Sequence, residues 1–460
     1  MELGFETVGN ASLIVYDGKP VLVTDPWLGG DAYFGSWGLA HEIPAEQAEA
    51  IRQAPFVWFS HGHPDHLHPG SLPLFKQCHI LLADHVGGRI VNDLRGGGFD
   101  VTVLKDNEWH PLSGHVKVMA LADYNQDSVL LVDVGGRLIV NLNDSTEKGW
   151  GGHLRRLIRQ YPVSFSLRLS GYGDADMINF VDESGVRLKS GPELRKERGY
   201  QVGAQIARST DTFGARFSVP FSSFHRYQRT DSDWANACTT SLQDMAIGYH
   251  SDRSELLPAF IRYDCIRDDV ERLDPAAAPA LLLAPEVFGD VWSDELSAQE
   301  ESKVIAYFRA IDHVRQHLAF IVLRVGGRET TVPLDGKETN RGITFEVPRH
   351  SLLKAIDLRI FDDLLIGNFM RTTLHGTWPK SGLMTDVTPY IAKYADNGAA
   401  RTNEELDAYF AEYRHRMGAM RYFRHMMERT AKRTAQTHLR ADSPGLALAA
   451  RTYQRIVTRS

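Results

Sequence analysis

The segment SHGHPDH constrains this chain most: directly after the apolar run PFVWF it places His61, His63, Asp65 and His66 within one tight turn. Imidazoles and a carboxylate packed this densely behind a buried strand are costly to hold without a partner. They are the donors a borderline-soft divalent ion needs, since histidine offers neutral nitrogen and the carboxylate offsets the ion's charge. One such loop can serve two adjacent metals. It also requires other strand ends to converge on it. The runs PVLVTD, FVWFSH and LIVNLND end in polar residues at Asp25, His61 and Asp144, and strand ends are where open-sheet folds gather chemistry.

The 460 residues leave room for two or three domains at about 100–200 residues each. The runs SLIVY and PVLVTD flank Asp17-Gly18, which predicts a hairpin opening a sheet. Further short strands follow at HILLAD, VTVLK, VKVMALAD and SVLLVD, with helices expected at 44–53 and 71–76. This sheet-rich α/β unit is expected over residues 1–250. A compact α+β pattern, with strands in HLAFIVLRVGGRETTVPLDG and GITFEV followed by FDDLLIGNFM, predicts a smaller domain over 251–400. Apolar residues at helical spacing (Leu406, Tyr409, Phe410, Tyr413, Met417, Met420), then a basic run, predict a helical tail over 401–460.

Charge and cysteine content narrow the function classes. With 51 Lys+Arg against 58 Asp+Glu, a net charge of −7 gives no global basic field, so neither nucleic acid nor an anionic membrane surface is an expected partner. The three cysteines, Cys78, Cys238 and Cys265, lie far apart without C-x-x-C or C-x-H pairing, so no protein-held iron–sulfur cluster and no disulfide framework is expected. The amino terminus lacks a basic-then-apolar leader, and no stretch of about 18 apolar residues occurs, so the expectation is a cytoplasmic protein without a membrane span.

HxHxDH, matched residue for residue by His61 to His66, resembles the metallo-β-lactamase superfamily, as does TDPWL around Asp25. Within it the chain is most similar to the CMP-N-acetylneuraminate hydroxylase family, through HPDHL…LPLF, LIVNLNDST…GGHL, VPFSSF and FDDLLIGNFM. The resemblance implies an αββα sandwich, two mixed sheets face to face with helices outside, followed by the smaller α+β domain and the C-terminal helix. It also implies two divalent metal ions held by His61, His63, Asp65, His66, Asp144 and His225, with Asp144 bridging and Asp25 orienting a ligand histidine from behind. Two departures stand out. Where the family's third first-site histidine falls, LADYNQD leaves Asp123, Asn125 or Gln126. The last ligand position, after VPFSSF, takes either His225 or Arg229.

Three readings of function follow. The resemblance favours a dinuclear non-haem iron monooxygenase that hydroxylates a polar, anionic, nucleotide-sugar-like metabolite. Lacking a Rieske domain and its cysteines, it would draw electrons from a separate electron-transfer protein. The alternative is a zinc or manganese hydrolase of lactonase or phosphoester type, with a bridging hydroxide as nucleophile and Asp65 handling its proton. Nitrogen and carboxylate ligands accept iron and zinc alike. The third is a degenerate fold used for binding. Arg226, Arg229 and Trp234, in HRYQRTDSDW, are candidates for holding the small anionic substrate, because guanidinium forks suit carboxylate and phosphate; a solvated loop is the equal alternative.

Overall fold

Neighbouring residues of the strand Phe56–Phe59 pack into different cores, and the whole architecture follows from that alternation. In this computed structural model, which describes residues 1–145, 148–173, 177–379, 382–384, 387–394 and 398–438, Trp58 joins Leu22, Leu81, Val118, Val132 and Val140 in one apolar cluster. Val57 and Phe59 join Ile80, Leu82, Ile51, Ile90 and Leu94 in another. A strand apolar on both sides is one covered on both sides. The first cluster fills the space between two sheets; the second lies under the helices Ala45–Gln53 and Arg89–Gly96.

The first sheet has eight strands, in the order Asp269–Arg272, Ile261–Asp264, Leu3–Val8, Ser12–Asp17, Lys19–Thr24, Phe56–Phe59, His79–Ala83 and Asp100–Leu104. The second has seven: Glu255–Leu256, Phe217–Ser222, Ser164–Leu169, Arg137–Asn143, Ser128–Val134, Val116–Ala122 and His110–Pro111. Phe165 meets Phe5 edge-on across the interface, ring centroids 4.9 Å apart. Buried Leu154 and Ile158 of the helix Gly151–Ile158, and Ile206 and Phe213 of Val202–Phe213, cover the second sheet's outer side. The expected αββα sandwich is therefore present. Each sheet is mixed: Lys19–Thr24, Phe56–Phe59 and His79–Ala83 run parallel, as do Arg137–Asn143, Ser164–Leu169 and Phe217–Ser222. The carboxyl ends of these two parallel sets carry the polar clusters.

The hairpin turns at Gly18, whose φ of 72° is open to glycine at no steric cost. Strands of both sheets lie beyond residue 250, the last of them ending at Arg272, so the expected boundary at 250 cuts through paired strands. After it, the strands Arg328–Pro333, Phe320–Val325, Gly342–Glu346 and Arg371–His375 form a four-stranded sheet of their own, accompanied by the helices Ala298–Arg309, Arg349–Leu358 and Phe361–Gly367. Val304, Phe308, Leu352 and Phe361 pack on this sheet within the same continuous core that fills the sandwich.

The expected terminal helix is two helices, Asn403–Met417 and Ala419–His438, separated at Gly418 with φ 82°. Leu406, Tyr409, Tyr413 and Met417 are buried, whereas Met420, expected on the same stripe, is 83% exposed because the chain turns there. The part of the expected tail after His438 lies outside the described residues. The first helix docks through Tyr413: Val86 N–H donates to its hydroxyl oxygen at 3.2 Å, leaving the hydroxyl proton for His85 Nδ1 at 3.1 Å. Burial, aided by Arg416, pushes His85 down to about 4. A histidine that folds neutral contributes fully above its ordinary pKa and loses that contribution as pH falls toward 4, about 3 kcal/mol in all. On moving from neutral to mildly acidic pH, wild type is expected to lose more urea stability than His85→Gln; equal losses would contradict this.

Candidate metal centre

Two left-handed residues that are not glycine close strands at the same edge: Asp25, φ 43°, after Lys19–Thr24, and Asn143, φ 47°, ending Arg137–Asn143. Such conformations persist where the surroundings over-determine them. Here Asn143 Nδ2 donates to Asp25 Oδ2, and Ser60 N–H donates to Asp25 Oδ1 at 2.8 Å. Asp25 Oδ2 also accepts from His66 Nδ1 at 3.3 Å. The fully buried carboxylate thus turns His66 so that Nε2 faces Asp65 Oδ2 at 3.2 Å and Asp144 Oδ2 at 3.6 Å.

The motif loop, following Phe56–Phe59, brings His61 Nε2 and His63 Nδ1 to 2.8 Å. Ser60 Oγ sits 2.9 Å from His61 Nδ1, fixing that ring from behind. One ligand atom each from His61, His63 and Asp144 falls within a 4.8 Å span. On the other side of Asp144 are Asp65 and His66. His225, on the short strand His225–Tyr227 paired with Trp37–Leu39, lies within electrostatic reach of Asp65. Its ring stacks on Trp37 at 3.3 Å and 5°, and its Nδ1 is 2.8 Å from Ser223 Oγ.

Burial and the neighbouring rings of His66 and His63 hold His61 well below its ordinary pKa. Burial would do the same to His63, but Asp362, Asp363 and Asp65 overcome it and lift the ring to about 10. Against burial, Asp65 and Asp144 hold His66 well above its usual range, and His66 in turn holds Asp65 well below. Burial alone takes His225 down to about 3. Among the described residues, the buried atoms His66 Nε2, His225 Nε2 and Asp144 Oδ1 have no hydrogen-bond partner. Buried polar atoms without partners are rare in proteins. Orphaned nitrogens and a carboxylate oxygen at one edge are donors suited to a cation, so the residues fit a bound metal.

Asp65 is held rather than mobile: Tyr33 donates its hydroxyl to Oδ1 at 2.6 Å and Asn10 its amide to Oδ2 at 3.1 Å. Both of its carboxylate oxygens are thus engaged within the protein. Of the candidates for the third first-site ligand, Asp123 accepts from Asn125 N–H at 2.6 Å and Ser145 Oγ at 2.9 Å, Asn125 Oδ1 faces Lys393 Nζ at 3.5 Å, and Gln126 is buried nearby. The next residue, Asp127, comes nearest to His61, with Oδ1 3.9 Å from Nδ1. Burial and Asp123 push Asp127 up to about 7.

No family model matches the chain. It is 28% identical over 164 residues to the cytidine monophosphate-N-acetylneuraminic acid hydroxylase of Asterias rubens, covering 34% of this chain and 24% of that protein. The chain resembles these hydroxylases over about a third of its length. It spans only about a quarter of the length of the curated relatives it matches. Solved structures similar to it include CmlA, a diiron β-hydroxylase from Streptomyces venezuelae (TM-score 0.34, 19% identity, 48% of this chain and 44% of that one). The isothiocyanate hydrolase from Delia radicum gut bacteria is another (TM-score 0.36, 13% identity, 60% and 100%). Hydroxylases and hydrolases thus stand side by side among the proteins the chain is similar to.

The substrate candidates fare differently. Arg229 is fully buried: it donates to both oxygens of Asp231 at 2.9 and 2.8 Å, to Asp290 at 2.7 Å and to the Phe34 carbonyl at 2.8 Å, and lies 3.8 Å over the Phe369 ring. Its guanidinium is committed to this network, which corrects both the substrate-binding and the alternative-ligand expectation for Arg229. Trp234 donates to the Asn368 carbonyl at 3.3 Å and carries Arg187 on its ring at 4.3 Å. Arg226 is half-buried beside His41. Beside Asp144, by contrast, lies a cleft of about 170 Å³ lined in part by Asn143, Ser145, Arg168 and Gln205. Arg168, near the end of Ser164–Leu169, was not singled out from sequence, because one arginine in an alternating strand carries no signal.

His68, just past the motif, has a structural job. Its Nδ1 accepts from Ser71 N–H at 3.0 Å, Nε2 donates to the Asp31 carbonyl at 3.0 Å, and the ring stacks on Trp27 at 5.6 Å. His68→Ala is expected to cost about 1–3 kcal/mol of stability by orphaning those groups, with bound metal unchanged. Thermal melts and metal analysis of the same sample check both halves.

Proposed function

We propose that this chain is a non-haem iron oxygenase that hydroxylates a small, polar, anionic metabolite. The observation that carries the reading is the donor set His61, His63 and Asp144: two imidazoles and one carboxylate at an open edge of the sandwich. Non-haem iron(II) oxygenases use such a set; zinc hydrolases use it too, and the similarity to the curated hydroxylases is what favours iron here. Asp65, His66 and His225, together with Asp144, would hold a second iron. A bound iron pair would supply the redox chemistry that joins an oxygen atom from O₂ to the substrate.

The chain's own residues do the remainder. Asp25 fixes the His66 tautomer, Ser60 and Ser223 fix His61 and His225 from behind, and Tyr33 and Asn10 immobilise Asp65. Burial keeps the Tyr33 phenol well above its ordinary pKa, so it remains a donor. Arg168, which lines the cleft beside Asp144 and also donates to Ser209 Oγ, would turn a further guanidinium N–H to the substrate's anionic group, and a nucleotide sugar of the kind named for the curated relatives meets that requirement. The buried, separate thiols Cys78, Cys238 and Cys265 suit a chain that receives its electrons from outside. No helix of the described residues is long and apolar enough to cross a membrane.

The test is isotopic. Iron-loaded protein with a chemical reductant and CMP-N-acetylneuraminic acid, alongside a panel of other nucleotide sugars, is incubated under labelled O₂. The proposal expects a product carrying one labelled oxygen and no turnover without O₂. Full-rate product formation under anaerobic conditions, with oxygen from water, would establish the hydrolase instead.

A further inference from the structure

One buried cluster plays no part in the proposal above: Asp362 and Asp363, 5% and 3% exposed, in the first turn of Phe361–Gly367 in the second unit. Asp362 Oδ2 lies 3.7 Å from His63 Nε2, within ion-pair range. The other ring nitrogen, Nδ1, is the one that meets His61 Nε2 at 2.8 Å. His63 therefore shows one nitrogen to the metal centre and the other to the second unit. A ligand histidine bound through one nitrogen carries its proton on the other, and that N–H is almost always given to a carboxylate, carbonyl or water that fixes the ring. His66 already has this arrangement with Asp25.

We propose that Asp362 does for His63 what Asp25 does for His66: it is a positioning carboxylate that holds Nε2–H so that Nδ1 faces the centre. Asp363, whose charge also reaches His63 and Tyr33, reinforces the field there. The inference rests on the metal-centre reading. Its consequence is that the second unit is a working part of the centre. The two metals then depend on different parts of the chain: the ion at His61 and His63 needs the helix Phe361–Gly367 in place, whereas the ion at His66 and His225 is braced within the sandwich.

The test is titration of the metal-free full-length chain with Co(II) against a competing chelator, read by metal content and the visible absorption of each equivalent. Wild type is expected to bind two equivalents. Asp362→Ala and the near-isosteric Asp362→Leu should each weaken one equivalent by about 10–100-fold, leaving the affinity and spectrum of the other unchanged. Asp362→Asn, whose amide oxygen still accepts Nε2–H, should recover most of the loss. A folded Asp362→Leu variant that binds both equivalents as wild type does would overturn the proposal. So would a third equivalent in wild type that disappears in Asp362→Leu, since the pair would then be ligands. If His61→Ala and His63→Ala leave Co(II) binding intact, the metal-centre reading itself fails, and this proposal with it.

Discussion

His63→Ala is expected to lose one equivalent of metal and essentially all turnover. His63 is the hinge of the candidate centre, with Nδ1 2.8 Å from His61 Nε2 and Nε2 facing Asp362 at 3.7 Å. Removing the ring takes away one of the two nitrogen donors in the His61, His63 and Asp144 set, and alanine leaves a position that water fills poorly. It also leaves Asp362 and Asp363 buried without the ring that faces them, which adds a stability cost. Since losing an outer partner of a ligand costs roughly 10–100-fold, losing the ligand itself should cost more. Turnover and metal content measured on one preparation check this. A His63→Ala protein with wild-type metal content would remove His63 from the ligand set.

Arg229→Leu should be the most destabilising single change outside the centre, at about 3–5 kcal/mol, because it leaves Asp231 and Asp290 without their partner. Asp290 is fully buried and also accepts from Ser351 N–H at 2.9 Å and Ser351 Oγ at 2.6 Å, so it ties the loop after His225–Tyr227 to the helix Arg349–Leu358. Breaking one partner strands the rest of the network in a dry interface. A large fall in denaturant midpoint is expected, with metal binding intact in the fraction that folds. Unchanged stability with weakened substrate affinity would return Arg229 to a substrate role.

What sequence showed and what it hid divide along a physical line. The αββα architecture was legible because period-2 apolar runs, turn residues and a dense ligand cluster are all local patterns, each carried by a few adjacent residues. A role for Asp25 beside one of the motif histidines came through the resemblance carried by TDPWL, but that the histidine is His66 shows only in the fold. Nothing in LADYNQD distinguishes Asp127 from its neighbours, and only the folded turn shows that its carboxylate lies on the Nδ1 side of His61, behind the ring with Ser60. FDDLLIGNFM gives no local sign that its helix start meets the motif loop, so the approach of Asp362 to His63 is visible only in the fold. Arg229 misled for the same reason: its partner Asp290 lies 61 residues away, so a buried network looked like a basic loop. The boundary placed at 250 failed to foresee that Ile261–Asp264 returns to pair with Leu3–Val8, a contact between chain segments far apart in sequence.

The measurement that bears most directly on the account is elemental analysis of the full-length chain purified aerobically without added metal, with His61→Ala and His225→Ala prepared in parallel. The account predicts two irons per chain in wild type and about one in each variant, because the two histidines serve different ions. Two zincs per chain would contradict the oxygenase reading in favour of a hydrolase, and a chain without bound metal would contradict the centre altogether.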